Sequence, residues 1–519
     1  MIHDSVIFVE GSQAENLTLQ PGTEAERLAL VSPQVGELFY QTDGTAGNYS
    51  YDGTNWNIIS GSQSSVISKL TTINAYQSNS VLSNNGKLYT WGQQGYGELG
   101  LGTTTQTYDT PQEVQLPFNE TGTIVNAALT AQQGYSLTST GNLYSWGRGS
   151  TGTLGHGDTA NQSTPKKVAA FNGTVSEMIL GIENGQRVND RATIVKLTNG
   201  EYWACGANHF GQLGTGNITQ QNSFFQIVSP DPGGSPITNV WVLGTTFGAV
   251  MLKTANNKIW ATGYNNHGTL GLGHTVLTKV FTEVTYFTSN GINIVDIQGG
   301  YGYFASTTIT NGATIFLDDA GNVYSTGNNQ FGQLGNGTVL NANTLTPAQV
   351  TLTKPVSEIH ACGGGPMTVY CKNTDGTYVR WGYNAFGQLA DGTIVSSGTP
   401  IQSTTQIDKI FNTGAMDTFS YLTSIWILQS DGILMATGRN AIGQLGIGTN
   451  TDSLTFQPIF FNDSSKIIDI RRNGSGNDGS SITLLTSEGK IYTCGYGQFR
   501  ALGIAGSTAF QTTFRRILI

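Results

Sequence analysis

The six histidines and four cysteines are the residues best suited to acid–base chemistry, nucleophilic attack or metal binding. A metal site needs several such side chains at short, regular spacing, as in the C-x-x-C and H-E-x-x-H patterns. Neither pattern occurs in this chain. We therefore expect structural or solvated roles for the histidines, and neither a metal nor a cofactor. The histidines are His3, His156, His209, His267, His274 and His360.

The cysteines are too few for a disulfide scaffold. Cys362 and Cys371 are close enough in sequence to face each other across a hairpin, and a disulfide is one interpretation of this pair. Two buried thiols are the other interpretation.

A polysaccharide-degrading enzyme would need a pair of carboxylates a few ångströms apart. Asp190, Asp417 and Asp478 are available, but their spacing does not favour such a pair. The P-loop, G-x-S-x-G and EF-hand patterns do not occur in the sequence. The sequence therefore predicts a protein that is not an enzyme.

The composition favours turn-rich β-structure over helices and over disorder. Glycine accounts for 69 of 519 residues, charged residues for 11% and aromatic residues for 10%. A formal net charge of −9 disfavours a nucleic-acid partner. The N-terminus lacks the basic and apolar regions of a signal peptide, and no window is apolar enough to span a membrane. We expect a soluble protein without membrane insertion.

One glycine-rich pattern, G-x4-G-x-L-G, recurs at intervals of 55 to 64 residues. Six of its eight copies are complete. The sixth ends in Ala390, and the eighth has Arg500 in place of its second glycine. We interpret these glycines as structural, and the leucine of each copy as packing between repeats. The copies begin at Gly92, Gly147, Gly206, Gly263, Gly327, Gly382, Gly438 and Gly495.

Each period of about 57 residues predicts about four short strands. A turn six residues before the first glycine separates two apolar runs, as in "NNGKLYTWG", which is typical of a β-hairpin. Asn257 replaces glycine at this turn in the fourth copy, which indicates a left-handed backbone there. Segments such as "TPKKV" and "NIVDI" predict one further strand on each side. Four-stranded units in series predict an all-β protein, a β-propeller.

These repeats resemble the regulator of chromosome condensation repeat family, in which a hairpin G-x-L/V-Y-x-W-G runs into N-x-x-G-Q-L-G-x-G. Residues 86–102 and 376–392 carry this hallmark nearly intact, and the resemblance covers about residues 63–519. It implies a propeller, typically of seven blades, whereas the eight copies here favour eight. Family members include a nucleotide exchange factor, chromatin binders and an inhibitor of β-lactamases, so the resemblance implies no single activity.

A propeller must also close into a ring. The last predicted strand, "FRRILI" at 514–519, occupies the position that precedes the first strand of a repeat. We expect it to pair by hydrogen bonds with the strand near "SVISKL" (65–70), which joins the two ends of the domain.

Residues 1–62 have a different sequence rhythm. The segment 35–61 contains "GELFYQTD" and "YSYDGTNWNII", two alternating strand patterns separated by a turn. It resembles the hairpin modules common in tail-fibre and other structural proteins of bacteriophages; a generic hairpin that packs under the propeller is the alternative. Arg27 is the only arginine or lysine among the first 60 residues, against eight aspartates and glutamates, which disfavours a polyanion partner. We expect residues 1–62 to dock onto other virion proteins.

The repeats differ most between their first strand and their hairpin, where insertions occur at 181–191, 299–312 and 471–481. Equivalent connections lie on one face of a propeller, and long loops on a rigid scaffold often carry recognition. Insertions without function are the alternative. The candidate contact residues are Arg187, Asn189, Asp190, Tyr301, Tyr303, Phe304, Arg471, Arg472 and Asp478.

Aromatic residues recur within the glycine-rich loops. They suit either a ring of sugar-stacking side chains or packing between blades, and packing is the more common role for such recurring positions. They are Tyr96, Phe210, Phe331, Phe386 and Phe499.

Together these features predict a phage virion protein of the tail-fibre or adhesin type, made in the host cytoplasm. Its propeller would bind a host surface glycan or protein, or decorate the particle, by multipoint contact without bond-making. A cellular protein–protein interaction or inhibitor propeller is the first alternative, a polysaccharide-degrading virion enzyme the second, and a purely structural plug or cap the third.

Overall fold

The computed structural model describes the chain from residue 66 to 519 with several gaps, and only six strands before residue 66. The chain divides into two units, Met1–Val66 and Ile67–Ile519. No helix among the described residues is both long and apolar enough to cross a membrane. The gaps are residues 73–77, 131, 170, 172, 181–191, 245–247, 304–309, 340–341, 363–365, 413–423, 461–462, 474–480, 498–499 and 508.

The first unit contains two small sheets. The first sheet consists of β1 and β2, which pair antiparallel. In the second sheet β3 lies parallel to β4, and β4, β5 and β6 pair antiparallel in that order. The hairpin predicted within 35–61 is therefore present. The strands are β1 (Ser5–Glu10), β2 (Gln13–Thr18), β3 (Gln20–Gly22), β4 (Leu38–Gln41), β5 (Gly47–Tyr51) and β6 (Trp56–Ile58).

The second unit consists of eight four-stranded antiparallel sheets, which are the blades of a propeller. The first four blades comprise β7 (Ile67–Leu70), β8 (Ser78–Ser83), β9 (Leu88–Gly92) and β10 (Tyr108–Val114); β11 (Ile124–Leu129), β12 (Gln133–Thr138), β13 (Leu143–Gly147) and β14 (Gln162–Lys167); β15 (Val175–Leu180), β16 (Ala192–Leu197), β17 (Tyr202–Gly206) and β18 (Gln221–Gln226); β19 (Ile237–Leu243), β20 (Ala249–Thr254), β21 (Ile259–Gly263) and β22 (Thr278–Glu283).

Blades five to eight follow the same order, after a short helix α1 (Thr285–Ser289) that links blades four and five. They comprise β23 (Ile294–Tyr303), β24 (Thr310–Asp318), β25 (Val323–Gly327) and β26 (Thr344–Gln349); β27 (Val356–Cys362), β28 (Thr368–Asn373), β29 (Tyr378–Gly382) and β30 (Ser397–Gln402); β31 (Ile407–Asn412), β32 (Ser424–Gln429), β33 (Leu434–Gly438) and β34 (Ser453–Pro458); β35 (Ile467–Asn473), β36 (Ser481–Thr486), β37 (Ile491–Gly495) and β38 (Gln511–Ile517).

The blades form a closed ring of eight, which confirms the count of repeats and excludes the seven-bladed alternative. The first strand of a blade is innermost, because the successive first strands β15, β19, β23, β27, β31 and β35 contact one another. The last of these, β35, contacts β7 of the first blade. The predicted strands before the hairpin and after the glycine motif are thus the innermost and outermost strands.

The predicted means of closing the ring is wrong. The final strand β38 pairs with β37 of its own blade, with Ile517 opposite Ile491, rather than with β7. Residues 511–517 complete blade eight as its fourth strand, as in every other blade, so both ends of the ring already have complete sheets. The closing seam is instead a packed apolar cluster of side chains from both blades. It comprises Ile67, Leu70, Val81, Trp91, Leu485, Ile491 and Ile517.

The repeat leucines lie in the core between the blades, as predicted. Each is almost fully buried, which removes a large apolar side chain from water in every repeat. They are Leu99, Leu154, Leu213, Leu270, Leu334, Leu389, Leu445 and Leu502.

The first glycine of each motif ends the third strand of its blade, and all eight have a φ between 94° and 112°. At Gly147 a Cβ atom would lie 2.3 Å from the carbonyl oxygen of Gln132, so a side chain there meets rigid backbone. The structural interpretation of these glycines is confirmed. Asn257, predicted to be left-handed, has a φ of 63°, and the two departures Ala390 and Arg500 keep the same conformation, at 54° and 64°.

Candidate functional site

The strand directions give the propeller two distinct faces. The innermost strands end, the second strands begin and the third strands end on the same side, because neighbouring strands are antiparallel. We call this side the loop face, since the glycine-rich segments start there. The opposite side, the turn face, carries the hairpin turns between second and third strands and the connections between blades.

The glycine-rich segment of each blade is tied to the next blade by a side chain on that next blade's third strand. This side chain, a Trp, Cys or Thr, belongs to the residue directly before the glycine that ends the strand. It donates a hydrogen bond to a carbonyl in the glycine-rich loop of the preceding blade. Examples are Trp146 Nε1 to Glu98 O at 2.8 Å and Thr262 Oγ1 to Gly211 O at 2.8 Å. Equivalent contacts are made by Trp91, Cys205, Thr326, Trp381, Thr437 and Cys494.

A buried asparagine organises the glycine-rich loop in five blades, a role that was not predicted from the sequence. In blade seven, Asn440 Nδ2 donates to the carbonyls of Thr449 and Thr451 at 2.9 and 3.0 Å. Its Oδ1 accepts the N–H of Leu445 at 2.9 Å. In the sequence this asparagine is the recurring first residue of segments such as "NAIGQLGIG", which begins at Asn440. The other four are Asn208, Asn265, Asn329 and Asn384.

The aromatic residues of these loops pack against the next blade, which favours packing over a sugar-stacking ring. Phe331 meets Tyr383 edge-on with ring centroids 5.0 Å apart, and Phe210 meets Tyr264 at 5.4 Å. Arginine guanidinium groups cover two further rings: Arg148 lies 4.8 Å from Tyr96, and Arg439 lies 4.6 Å from Phe386. Phe499 lies outside the described residues.

Five of the nine predicted contact residues cannot be placed, since Arg187, Asn189, Asp190, Phe304 and Asp478 lie outside the described residues. The other four are strand residues rather than loop residues. The strand β23 extends to Tyr303, so Tyr301 and Tyr303 belong to a long hairpin within what was predicted to be a loop over 299–312. Arg471 and Arg472 belong to β35.

Arg471 and Arg472 have opposite environments. Arg472 is only 7% exposed, whereas Arg471 is exposed and donates from Nε to Asp469 Oδ2 at 2.9 Å. Consecutive strand residues point to opposite sides, which explains the difference. Arg471 therefore remains a candidate for contact at the loop face, while Arg472 lies in the protein interior.

Arg471 adjoins the closing seam near the propeller axis. Burial lowers the pKa of Lys69 in the first blade, the Arg471 charge lowers it further, and Asp469 raises it. Lys69 Nζ donates to Asn126 Oδ1 of the second blade at 2.5 Å. Charged and polar side chains of the innermost strands of blades eight, one and two are therefore close enough to influence one another.

His156, His267 and the four cysteines have half-buried or buried, structural surroundings, whereas His209 and His274 are exposed. Burial lowers the pKa of His156, whose Nε2 lies 3.0 Å from Ser145 Oγ, and that of His267. All four cysteines are buried and free, and burial raises the pKa of their thiols. Cys371 lies opposite Ile359 rather than Cys362 in the sheet, so the disulfide interpretation is wrong.

The part of the chain that the structure describes contains no group of three or more side chains suited to holding a metal ion. Of the carboxylates considered for glycoside hydrolysis, Asp190, Asp417 and Asp478 all lie outside that part.

Comparison with known proteins identifies the repeat type. The family model for the regulator of chromosome condensation (RCC1) repeat matches residues 85–131, 140–187 and 320–369. The ultraviolet-B receptor UVR8 of Arabidopsis thaliana is 26% identical over 387 residues, which are 74% of this chain and 80% of UVR8. The E3 ubiquitin-protein ligase HERC2 of Homo sapiens is 27% identical over 312 residues, which are 59% of this chain but only 6% of HERC2.

Solved structures show the same fold at lower identity. Human WBSCR16 aligns over 77% of this chain and 100% of its own, with a TM-score of 0.53 and 17% identity. Prp20p from Saccharomyces cerevisiae, studied for its binding to Gsp1p and histones, aligns over 79% of this chain and 94% of its own, with a TM-score of 0.53 and 18% identity. The chain therefore contains stretches that match the RCC1 repeat, within an eight-bladed β-propeller.

Proposed function

We propose that this protein is a non-enzymatic binding protein of a bacteriophage particle, and that the loop face of its propeller recognises a host surface glycan or protein. Residues 1–62 would dock the chain onto other virion proteins. The proposal rests chiefly on one observation: the glycine-rich segments at the loop face are fixed to the neighbouring blades.

Backbone hydrogen bonds provide much of this fixation. A glycine at the end of each of seven glycine-rich loops donates its N–H to a carbonyl in the outermost strand of the next blade. Loops held in this way lose little conformational entropy on binding, which favours recognition by a preformed surface. The pairs are Gly102–Ser163, Gly157–Asn222, Gly216–Lys279, Gly273–Leu345, Gly337–Gly398, Gly392–Leu454 and Gly448–Thr512.

Support for a place in a virion comes from the sequence of residues 35–61. This segment resembles the hairpin modules of bacteriophage structural proteins. Its strands β4, β5 and β6 pair antiparallel, as a hairpin requires. The acidic character of residues 1–60 and the net charge of −9 argue against a nucleic-acid partner.

The test is saturable binding of the fluorescently labelled full chain to host cells. Arg471→Ala should weaken binding by about five-fold or more, because it removes an exposed charge at the loop face. Arg515→Ala removes an exposed arginine from the outermost strand of the same blade and should leave binding unchanged. Absence of saturable binding, or equal losses in both variants, would contradict the proposal.

A cellular protein–protein interaction is the second candidate. It is favoured by the similarity to the receptor UVR8 and by the shared fold of Prp20p, which was studied for its binding to Gsp1p and histones. In that case the full chain would retain a cytosolic protein on affinity purification and would not bind the host surface. A polysaccharide-degrading enzyme would instead release soluble sugar from host capsule.

A further inference from the structure

A cleft of about 540 Å³ opens on the turn face between blades seven and eight. One wall is the hairpin turn of blade seven, residues 430–433, and the other comes from the connection to blade eight, including Phe460 and residues 463–466. Its volume lies in the range of sites that take a small ligand or a protruding side chain. The cleft is on the opposite side of the propeller from the loop face.

The floor of the cleft is apolar and its rim exposes apolar surface. Leu428, Leu434 and Ile459 at its base are buried members of the core. Above them, Ile433 is 41% exposed and Phe460 is 80% exposed. Large apolar side chains at the mouth of an apolar cleft are typical of a surface that a partner covers.

The equivalent connection between blades four and five shows what fits such a place. Val284 and Ile459 hold equivalent positions, because the N–H of each donates to the carbonyl oxygen of the first residue of the third strand in its own blade. That residue is Ile259 in blade four and Leu434 in blade seven, and both distances are 2.8 Å. After Val284 the chain forms α1, and its Phe287 is fully buried, 4.9 Å from the ring of Phe316. In that blade the protein's own aromatic side chain covers the core, whereas Phe460 projects into solvent.

The charges around the cleft favour a basic occupant. Its lining contains three carboxylates, those of Asp408, Asp431 and Asp463, and one amine, that of Lys466. Lys466 pairs with Asp408 at 2.9 Å. From outside the lining, Lys490 pairs with the buried Asp463 at 3.4 Å and with Glu488 at 2.6 Å. These four carboxylates and two amines leave a net negative charge at the cleft, in addition to the negative net charge of the chain.

We propose that this cleft binds a peptide segment of a protein partner, in which a large apolar side chain enters the cleft and a flanking lysine or arginine faces the acidic rim. It is a second docking site, independent of the molecule that the loop face recognises. The apolar floor supplies the affinity, and the residual negative charge selects the flanking residue.

The probe is the peptide acetyl-Lys-Trp-Lys-amide, titrated calorimetrically into the full chain. We expect a Kd of about 1 mM or tighter, and binding about five-fold weaker for acetyl-Glu-Trp-Glu-amide. Phe460→Ser and Ile433→Ser should each weaken the basic peptide by about five-fold, because each removes apolar surface at the mouth. Both side chains are exposed, so the fold should tolerate either change.

Phe118→Ser is the matched control, since Phe118 is a fully exposed phenylalanine of the connection between blades one and two. It should leave the affinity unchanged. The proposal is overturned if the basic peptide gives no binding up to about 5 mM, or if the acidic peptide binds equally well. It is also overturned if the two cleft variants bind the basic peptide as tightly as the unaltered chain does, or lose no more affinity than Phe118→Ser.

Discussion

The indole Nε1 of Trp91 in the first blade donates a hydrogen bond of 3.1 Å to the carbonyl oxygen of Ala501 in the last blade. The same relationship joins blades within the ring, where Trp381 Nε1 donates to Gln333 O at 3.0 Å. The seam between the chain ends is therefore built like an internal junction, by side chains that reach a neighbouring loop rather than by a shared sheet.

Trp91→Phe tests this equivalence. It removes the donor and leaves a small cavity where the larger, fully buried indole stood, so we expect a loss of about 2–3 kcal/mol in the free energy of unfolding, measured by urea denaturation. Trp381→Phe is the internal counterpart and should cost a similar amount. A neutral Trp91→Phe beside a destabilising Trp381→Phe would show that the seam depends on other contacts.

Ala390→Gly should stabilise the protein. Ala390 has a φ of 54° at a position where most repeats have glycine, and a left-handed conformation costs a residue with a Cβ about 1–2 kcal/mol. The greater flexibility of glycine in the unfolded chain offsets part of this gain. We expect about 0.5–1 kcal/mol of added stability in the same denaturation experiment; a destabilised variant would mean that the Ala390 methyl group contributes more packing than strain.

Asn440→Ala should be among the most destabilising single changes. It leaves the carbonyls of Thr449 and Thr451 and the N–H of Leu445 without their buried partner, at a cost of about 2–4 kcal/mol. Asn239→Ala is the control, because this asparagine is exposed on an innermost strand, and a change below about 0.5 kcal/mol is expected. Similar costs for the two variants would refute the organising role of Asn440.

Glu98→Gln should stabilise the protein at neutral pH only. Burial raises the pKa of the Glu98 carboxyl, against the lowering effect of the N–H groups of Tyr96 and Gly95. Because the pKa of Glu98 is raised in the folded state, the protonated carboxyl favours folding more than the carboxylate does. The stability that Glu98 contributes is therefore lost as the pH rises through its folded-state pKa. Gln212 fills this position in blade three and accepts the N–H of Phe210 in the same way.

Thermal unfolding of Glu98→Gln and the unaltered chain at pH 7 and pH 4 measures the difference. The melting temperature of the variant should be higher at pH 7, and the difference should shrink at pH 4, where the glutamate is largely protonated. A constant difference at both pH values would indicate that the effect is not the titration of Glu98.

The sequence predicted the fold because its signals are local and repeated. The glycines that end each third strand require a conformation that few other residues adopt, and the apolar runs around each turn define the hairpin. The closing seam was not predictable in this way. The segment "FRRILI" has the pattern of any outermost strand, and pairing within its own blade or with β7 would satisfy the same backbone groups.

The candidate site was harder to predict than the fold. Arg471 and Arg472 are identical in type, and only the register of β35 decides that Arg472 is buried while Arg471 is exposed. By contrast, the recurring asparagine of the glycine-rich loops was visible in the sequence. Its role was missed because hydrogen bonding to loop backbone has no sequence signature beyond recurrence.

Mass spectrometry of purified particles, combined with localisation of the chain by electron microscopy, tests the central proposal most directly. Under the proposed function, the particles would come from a bacteriophage whose genome encodes this chain. We predict that the full chain is a stoichiometric particle component, attached through its first 62 residues, with the loop face of the propeller directed outward. An abundant chain in the lysate that is absent from the particles, or a loop face covered by other particle proteins, would contradict the account.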